Sequence, residues 1–194
     1  MEKEALKRIF EFLEEKEEHN KPLKLKLIFN EPLTEEELNV KGDLNLFNSK
    51  ITSLPKGLKV GGKLILYNSK ITSLPENLKV IGNLNLGGTK IMSLPEGLKV
   101  GGDLILYETK ITSLPKGLKV GGNLSLYETK ITSLPENLKV RGSLNLRDTK
   151  IMSLPEGLKV GGDLYVRGTE LQKYLEEELR EMVKPGFIKG KIVR

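Results

Sequence analysis

Between residues 51 and 170 the apolar positions keep one order that returns every 20 residues: I-x-S-L-P-x-x-L-K-V-x-G-x-L-x-L-x-x-S/T-K. Copies start at 51, 71, 91, 111, 131 and 151, and a degenerate copy, EPLTEEELNVKGDLNLFNSK, precedes them at 31–50. Each copy contains L-x-L, as in Leu64-Ile65-Leu66. That alternation predicts a short strand with its leucines inward. Twenty residues cannot enclose a core alone, but stacked copies can, each L-x-L pairing in parallel with the next. Ile51, Leu54, Leu58, Val60, Leu64 and Leu66 would then head inward ladders. Seven such strands, about 4.8 Å apart, predict a rod roughly 30 Å long.

The punctuation of the repeat predicts its turns. The second glycine of the pair recurs at Gly42, Gly62, Gly82, Gly102, Gly122, Gly142 and Gly162, while Ile81 and Arg141 occupy the first slot. Gly62 and its equivalents are expected to hold a positive φ or a tight corner before the strand. Pro55 and its equivalents fix φ and remove a donor, which suits an extended far side of the coil and not a helix.

The ends break the pattern, as capping units should. Residues 2–18 read as a helix with Ala5, Leu6, Ile9, Phe10 and Leu13 on one stripe. LKLKLIF (23–29) alternates and predicts an extra edge strand. Thr169 with Gln172 has the spacing of a capping box. It predicts a helix with Leu171, Leu175, Leu179 and Met182 apolar, stopped by Pro185-Gly186. FIKGKIVR at the end is expected to be a short strand or an arm. The organisation is thus a cap of helix and edge strand (1–30), a solenoid (31–170), and a helical cap with tail (171–194). Such caps cover the open edges of a parallel stack.

A second period overlies the first. Residues 51–110 and 111–170 are one block of three repeats present twice, and they differ at 13 positions. All 13 fall in the second half of a repeat, in the slots equivalent to 61–70. The first half therefore reads as scaffold and the second as the place where surface chemistry changes.

The run LPEGLKVGGDLILYETKI (94–111) resembles the leucine-rich repeat, in the short 20-residue bacterial class known from secreted effector proteins. It carries the family's L-P, its L-x-L strand and an apolar residue two places after a polar ladder position. The resemblance covers about residues 40–170. It implies an α/β solenoid: a right-handed coil with a parallel sheet on its concave face, closed here by helical caps at both ends. It also implies a concave sheet that binds a partner, usually a protein. Where the family has asparagine in its ladder, this chain has Ser49, Ser69, Thr89, Thr109, Thr129, Thr149 and Thr169, and V-x-G replaces the usual leucine spacing before the strand. Some effectors of the class append a cysteine-dependent ubiquitin ligase domain. This chain of 194 residues has no cysteine and no room for one, so that activity is not expected.

Composition narrows the function classes. With 38% hydrophobic and 30% charged residues the chain is ordinary for a soluble protein, and no apolar run is long enough to span a bilayer. MEKEALKRIF lacks the apolar region of a signal peptide. The absence of cysteine fits a reducing cytosol, or delivery into a host cell if the effector likeness holds. The formal net charge is +6, and the excess lies in 51–170. A basic balance attracts nucleic acid, acidic proteins or anionic lipid, and also serves solubility.

Alternation places the slots equivalent to 43, 45 and 47 outward. The residues expected to bind a partner there are Phe47, Ile65, Tyr67, Ile105, Tyr107, Tyr127, Arg147, Tyr165 and Arg167. Tyrosine and arginine are enriched at binding hot spots, although neighbouring aromatics also stabilise a sheet by pairing. Asp43, Asp103 and Asp163 share the face but lie three strands apart, about 14 Å, too far for paired acid–base chemistry. Lysine ladders at 50–150 and 59–159 read first as solvated faces, with phosphate binding as the sharper alternative. Lys63, Arg141, Arg147 and Arg167 with Tyr127 and Tyr165 would suit nucleic acid.

Catalysis is not expected. GLKVGGKL (57–64) nearly matches a phosphate-binding loop, but Leu64 stands where its magnesium-binding hydroxyl belongs. His19 is the single histidine, and serines such as Ser53 recur as scaffold. No metal or cofactor is implied. The threonine ladder is expected to point inward or into the turn, and the outward face is charged and aromatic, which argues against ice binding. The sequence therefore predicts a non-catalytic module that recognises a macromolecule, most often a protein, and works as a monomer away from membranes. Two alternatives stay open: a nucleic-acid or polyanion binder using the basic C-terminal half, and a structural or engineered scaffold with no partner of its own.

Overall fold

The computed structural model describes residues 21–194 and the helical pair Lys7 and Arg8. The helix expected over 2–18 otherwise lies outside the described residues. From residue 39 onward the chain is a parallel β-solenoid. Each coil contributes two two-residue strands, and these build two separate sheets. Sheet A contains β1 (Asn39–Val40), β3 (Lys59–Val60), β5 (Lys79–Val80), β7 (Lys99–Val100), β9 (Lys119–Val120), β11 (Lys139–Val140), β13 (Lys159–Val160) and β15 (Phe187–Ile188). Sheet B contains β2 (Leu44–Asn45), β4 (Leu64–Ile65), β6 (Leu84–Asn85), β8 (Leu104–Ile105), β10 (Leu124–Ser125), β12 (Leu144–Asn145), β14 (Leu164–Tyr165) and β16 (Ile192–Val193). Pairing is in register throughout the repeats, Lys59 on Lys79 and Leu64 on Leu84.

The expectation of seven strands in one sheet is therefore corrected. L-K-V (58–60) alternates in-out-in just as L-I-L (64–66) does, so it pairs with its own copies and forms sheet A. The remaining side, residues 51–57 of each coil, is neither strand nor helix, as the recurring proline requires. It turns at a positive-φ residue: Gly57 (φ 80°) in one coil, Asn77 (φ 63°) in the next.

The predicted inward ladders are the core. Ile51, Leu58, Val60, Leu64 and Leu66 are almost wholly excluded from solvent, and their equivalents form one continuous cluster along the rod. The hydroxyl row from Ser49 to Thr169 is also buried. Each threonine keeps its hydroxyl satisfied within its own coil, as Thr89 Oγ1 does by donating to the Leu86 carbonyl at 2.6 Å. Ser49 and Ser69 leave theirs unpaired.

The reason for Gly62 and its equivalents also changes. None of them has a positive φ. A Cβ on Gly82 would stand 2.6 Å from the carbonyl oxygen of Gly62 and 2.7 Å from its carbon. The slot is glycine because consecutive coils touch backbone to backbone there, with Gly82 N donating to Gly62 O at 3.0 Å.

Both ends differ from expectation. LKLKLI folds as helix α1 (Leu23–Ile28), not as an edge strand. Leu23 and Leu27, one helical turn apart, face the core, while Leu25 and Phe29 are exposed. The mostly buried Lys26 pairs with Glu37 at 2.8 Å. That bond, followed by the Thr34 backbone N–H, holds the Glu37 carboxyl below the usual carboxylate range. At the C-terminus, Thr169 caps a 3-10 turn (Glu170–Lys173), accepting from Leu171 N at 3.1 Å. The chain then breaks, so Leu175 is exposed instead of joining the apolar stripe. Helix α2 (Glu176–Met182) follows and buries Leu179. The tail adds one more strand to each sheet, and Arg180 of α2 clamps it through the carbonyls of Ile188 and Gly190.

Candidate binding face

The outward surface of sheet B carries three rows of side chains, and they do different work. The row beginning at Asp43 is a backbone ladder. Asp43 Oδ1 accepts from Lys63 N at 2.6 Å, Asn83 Oδ1 from Asp103 N at 2.9 Å, and Asp103 Oδ1 from Asn123 N at 2.7 Å. The series continues through Asn123 and Ser143 to Asp163, which accepts from Lys191 N at 2.9 Å. A short acceptor placed here satisfies a donor that the two-residue strand of the next coil leaves free. Alternation predicts an outward slot for Asp43, Asp103 and Asp163 and gives them no chemistry; the structure gives them a scaffold role. The signal was present: Asp, Asn or Ser fills the slot after the invariant glycine in six of the seven coils, with Lys63 the exception.

The second row mixes local turns with apolar surface. Asn45, Asn85 and Asn145 accept from the backbone N–H two residues on, at 3.0, 3.0 and 3.1 Å. Ile65 and Ile105 flank Asn85 in register and are half-buried.

The third row holds most of the aromatic and arginine side chains, and with Tyr165 of the second row they fall into two clusters. Phe47 stacks on Tyr67 with ring centroids 5.5 Å apart and planes at 14°. Tyr67 meets Tyr107 at 5.8 Å although a whole coil lies between them. Gly87 makes this possible, since a Cβ there would sit 2.7 Å from the Tyr107 ring. Partial burial first, then the neighbouring Tyr67 phenol and the Glu108 carboxylate, push the Tyr107 phenol up to about 12. In the second cluster the Arg147 guanidinium lies between two rings, 5.4 Å from Tyr127 and 5.7 Å from Tyr165. Its Nε also donates to Asn145 Oδ1 at 3.1 Å. Tyr127 is raised, chiefly by its hydrogen bond to Glu128. Arg167 is exposed at the end of the row, with no ring partner.

Of the nine residues expected to bind, six are thus brought into two contact clusters, Ile65 and Ile105 lie beside the first, and Arg167 stands apart. The set suited to nucleic acid is divided: Arg141 lines a groove on sheet A, whereas Arg147 is held between rings on sheet B. Sheet A has a different character. Lys59, Lys79, Lys99, Lys119, Lys139 and Lys159 stack in register on its outer face, and none of them forms an ion pair. No group of three or more potential metal-binding His, Cys, Asp or Glu side chains occurs among the described residues, where no helix is long and apolar enough to cross a membrane. No protein-family model matches the chain, and no curated protein matches its sequence.

Proposed function

We propose that the chain is a non-catalytic recognition module of the leucine-rich-repeat kind that binds a protein through the outer face of sheet B. The observation that supports this most is the pair of preassembled clusters, Phe47–Tyr67–Tyr107 and Tyr127–Arg147–Tyr165, on one face of a rigid rod. Side chains already held by stacking lose little rotamer freedom on contact, so more of their buried area contributes to affinity. Ile65 and Ile105 give the first cluster an apolar floor. The two blocks differ at this face: Gly87 becomes Arg147, Ile105 becomes Tyr165 and Tyr107 becomes Arg167. The partner would therefore meet an aromatic half and a cationic half. Absence of cysteine suits a reducing compartment, the cytosol of the producing cell or of a host.

The test is capture on immobilised protein, comparing the native chain with the triple variant Tyr107→Ser, Tyr127→Ser, Arg147→Ser. A captured protein that is then purified should bind the native chain and lose at least about tenfold in affinity for the variant. Melting curves verify that the variant is folded. If every captured protein binds the folded variant as well as the native chain, the sheet B reading fails.

A further inference from the structure

We propose that the outer face of sheet A is a second binding surface, and that its ligand is the phosphodiester backbone of a single-stranded nucleic acid lying along the rod. This inference does not depend on the function assigned to sheet B. Its basis is a stripe two slots wide. One slot carries the six in-register lysines from Lys59 to Lys159. The adjoining slot carries Lys41, Arg141 and Lys189 and holds no acidic residue.

The stripe is also grooved. Where Ile81 and Arg141 stand at either end, Gly101 and Gly121 lie between them and expose the floor. The resulting trough, of about 730 Å³, is walled by Lys79, Lys99, Lys119 and Lys139. A second trough of about 360 Å³ continues past Arg141 to Phe187 and Lys189. The two share Lys139 and Arg141, so a single path follows the stack of coils. Like charges directly opposite one another on neighbouring strands repel. A chain of phosphates laid along them removes that repulsion and releases its own counterions.

The narrowness of the stripe bears on the ligand. Glu76, Glu96, Glu136 and Glu156 stand three residues before the lysine slot of their coils, with Lys56 and Lys116 in the same slot of two others. Those glutamates are within about 10 Å of chain from the lysines. A broad lipid surface laid on this face would meet them, and so would a duplex. A single strand lies along the lysine slot alone. A straight ladder also matches one extended backbone, whereas the two strands of a duplex wind away from it. Sheet A carries no row of rings to stack bases, in contrast to the platforms of many single-strand binders, so binding is through phosphate and indifferent to sequence.

The experiment is fluorescence anisotropy with a labelled oligo(dT) of about 15 nucleotides. Neutralising about six phosphates predicts a slope of log K against log salt near −4, a loss of about 300-fold between 50 and 200 mM. The variant Lys99→Gln, Lys119→Gln should flatten that slope by about 1.4 and weaken binding. The same charge change in the other ladder, Lys90→Gln with Lys110→Gln, should leave it unaltered, as should the sheet B triple variant. Oligo(dA) should bind like oligo(dT). The proposal is overturned by absence of binding at 50 mM salt. It is overturned equally if both lysine pairs matter alike, or if a duplex of the same length or phosphatidylserine vesicles bind more tightly than the single strand.

Discussion

Sheets A and B are made the same way and present opposite surfaces. Each has eight short parallel strands among the described residues, stacked in register over one shared core. On sheet A the outward residue is lysine in six consecutive coils; on sheet B the paired residue runs Asn45, Ile65, Asn85, Ile105, Ser125, Asn145, Tyr165. An in-register stack places each residue against its equivalent, so uniformity on sheet A means uncompensated like charge, while variety on sheet B permits stacking and cation–π contact. This core leaves the outer rows free to be set separately. The duplicated blocks agree with that: none of their differences falls in the lysine row or the core residues of the first half.

The largest test of a shared core is truncation beneath each sheet. Leu104→Ala under sheet B should cost about 3 kcal/mol, and Val100→Ala under sheet A about 2 kcal/mol, because fewer methyl groups leave the core. Both should unfold in urea as a single transition. Separate transitions for the two sheets would show that they do not share one core.

A sharper contrast lies on the surface. Asp103→Ala or Asn123→Ala removes an acceptor from the backbone of the next coil and should cost about 1–2 kcal/mol. Lys119→Gln, on the other sheet, should stay within about 0.5 kcal/mol and lean towards stabilisation at low salt. Equal costs, read from urea midpoints, would mean that both outer rows are structural.

Smaller effects belong to the corner after sheet B, where Glu108 and Glu128 hold φ near 55°. Asn48 and Asn68 occupy the same slot elsewhere, and asparagine tolerates that conformation better than glutamate. Glu108→Asn should therefore raise stability by about 0.5–1 kcal/mol, measured by thermal melting. A decrease would show that the Glu108 side chain has a role of its own.

The smallest effect is in pH dependence. The Tyr107 phenol is held at about 12 in the folded chain, against about 10 when unfolded. Folding thus favours the neutral phenol, and that contribution is complete below pH 10 and lost as pH rises to about 12. Ultraviolet titration should show Tyr107 and Tyr127 ionising later than ordinary phenols, and Tyr107→Phe should remove one late step and soften the alkaline loss of stability. An unchanged titration in Tyr107→Phe would assign both late steps to other tyrosines.

The sequence alone determined the repeat, its inward ladders and its parallel stacking, because a 20-residue period with fixed apolar slots admits no other way to bury Ile51, Leu54, Leu58, Leu64 and Leu66. It also determined which side chains stand outward near sheet B. Several matters were decided only by the tertiary structure. L-K-V became a second sheet because its copies meet in register, a contact between residues 20 apart that local pattern does not weigh. Asp43 and its successors became ladder acceptors because the donor they satisfy belongs to the next coil. Gly62 and its equivalents lost their expected positive φ for the same reason: what forbids a side chain is the neighbouring backbone, not the turn. LKLKLI became a helix because packing chose the Leu23–Leu27 spacing over simple alternation. Tyr67 could reach Tyr107 only across Gly87, a gap that opens once three coils are stacked.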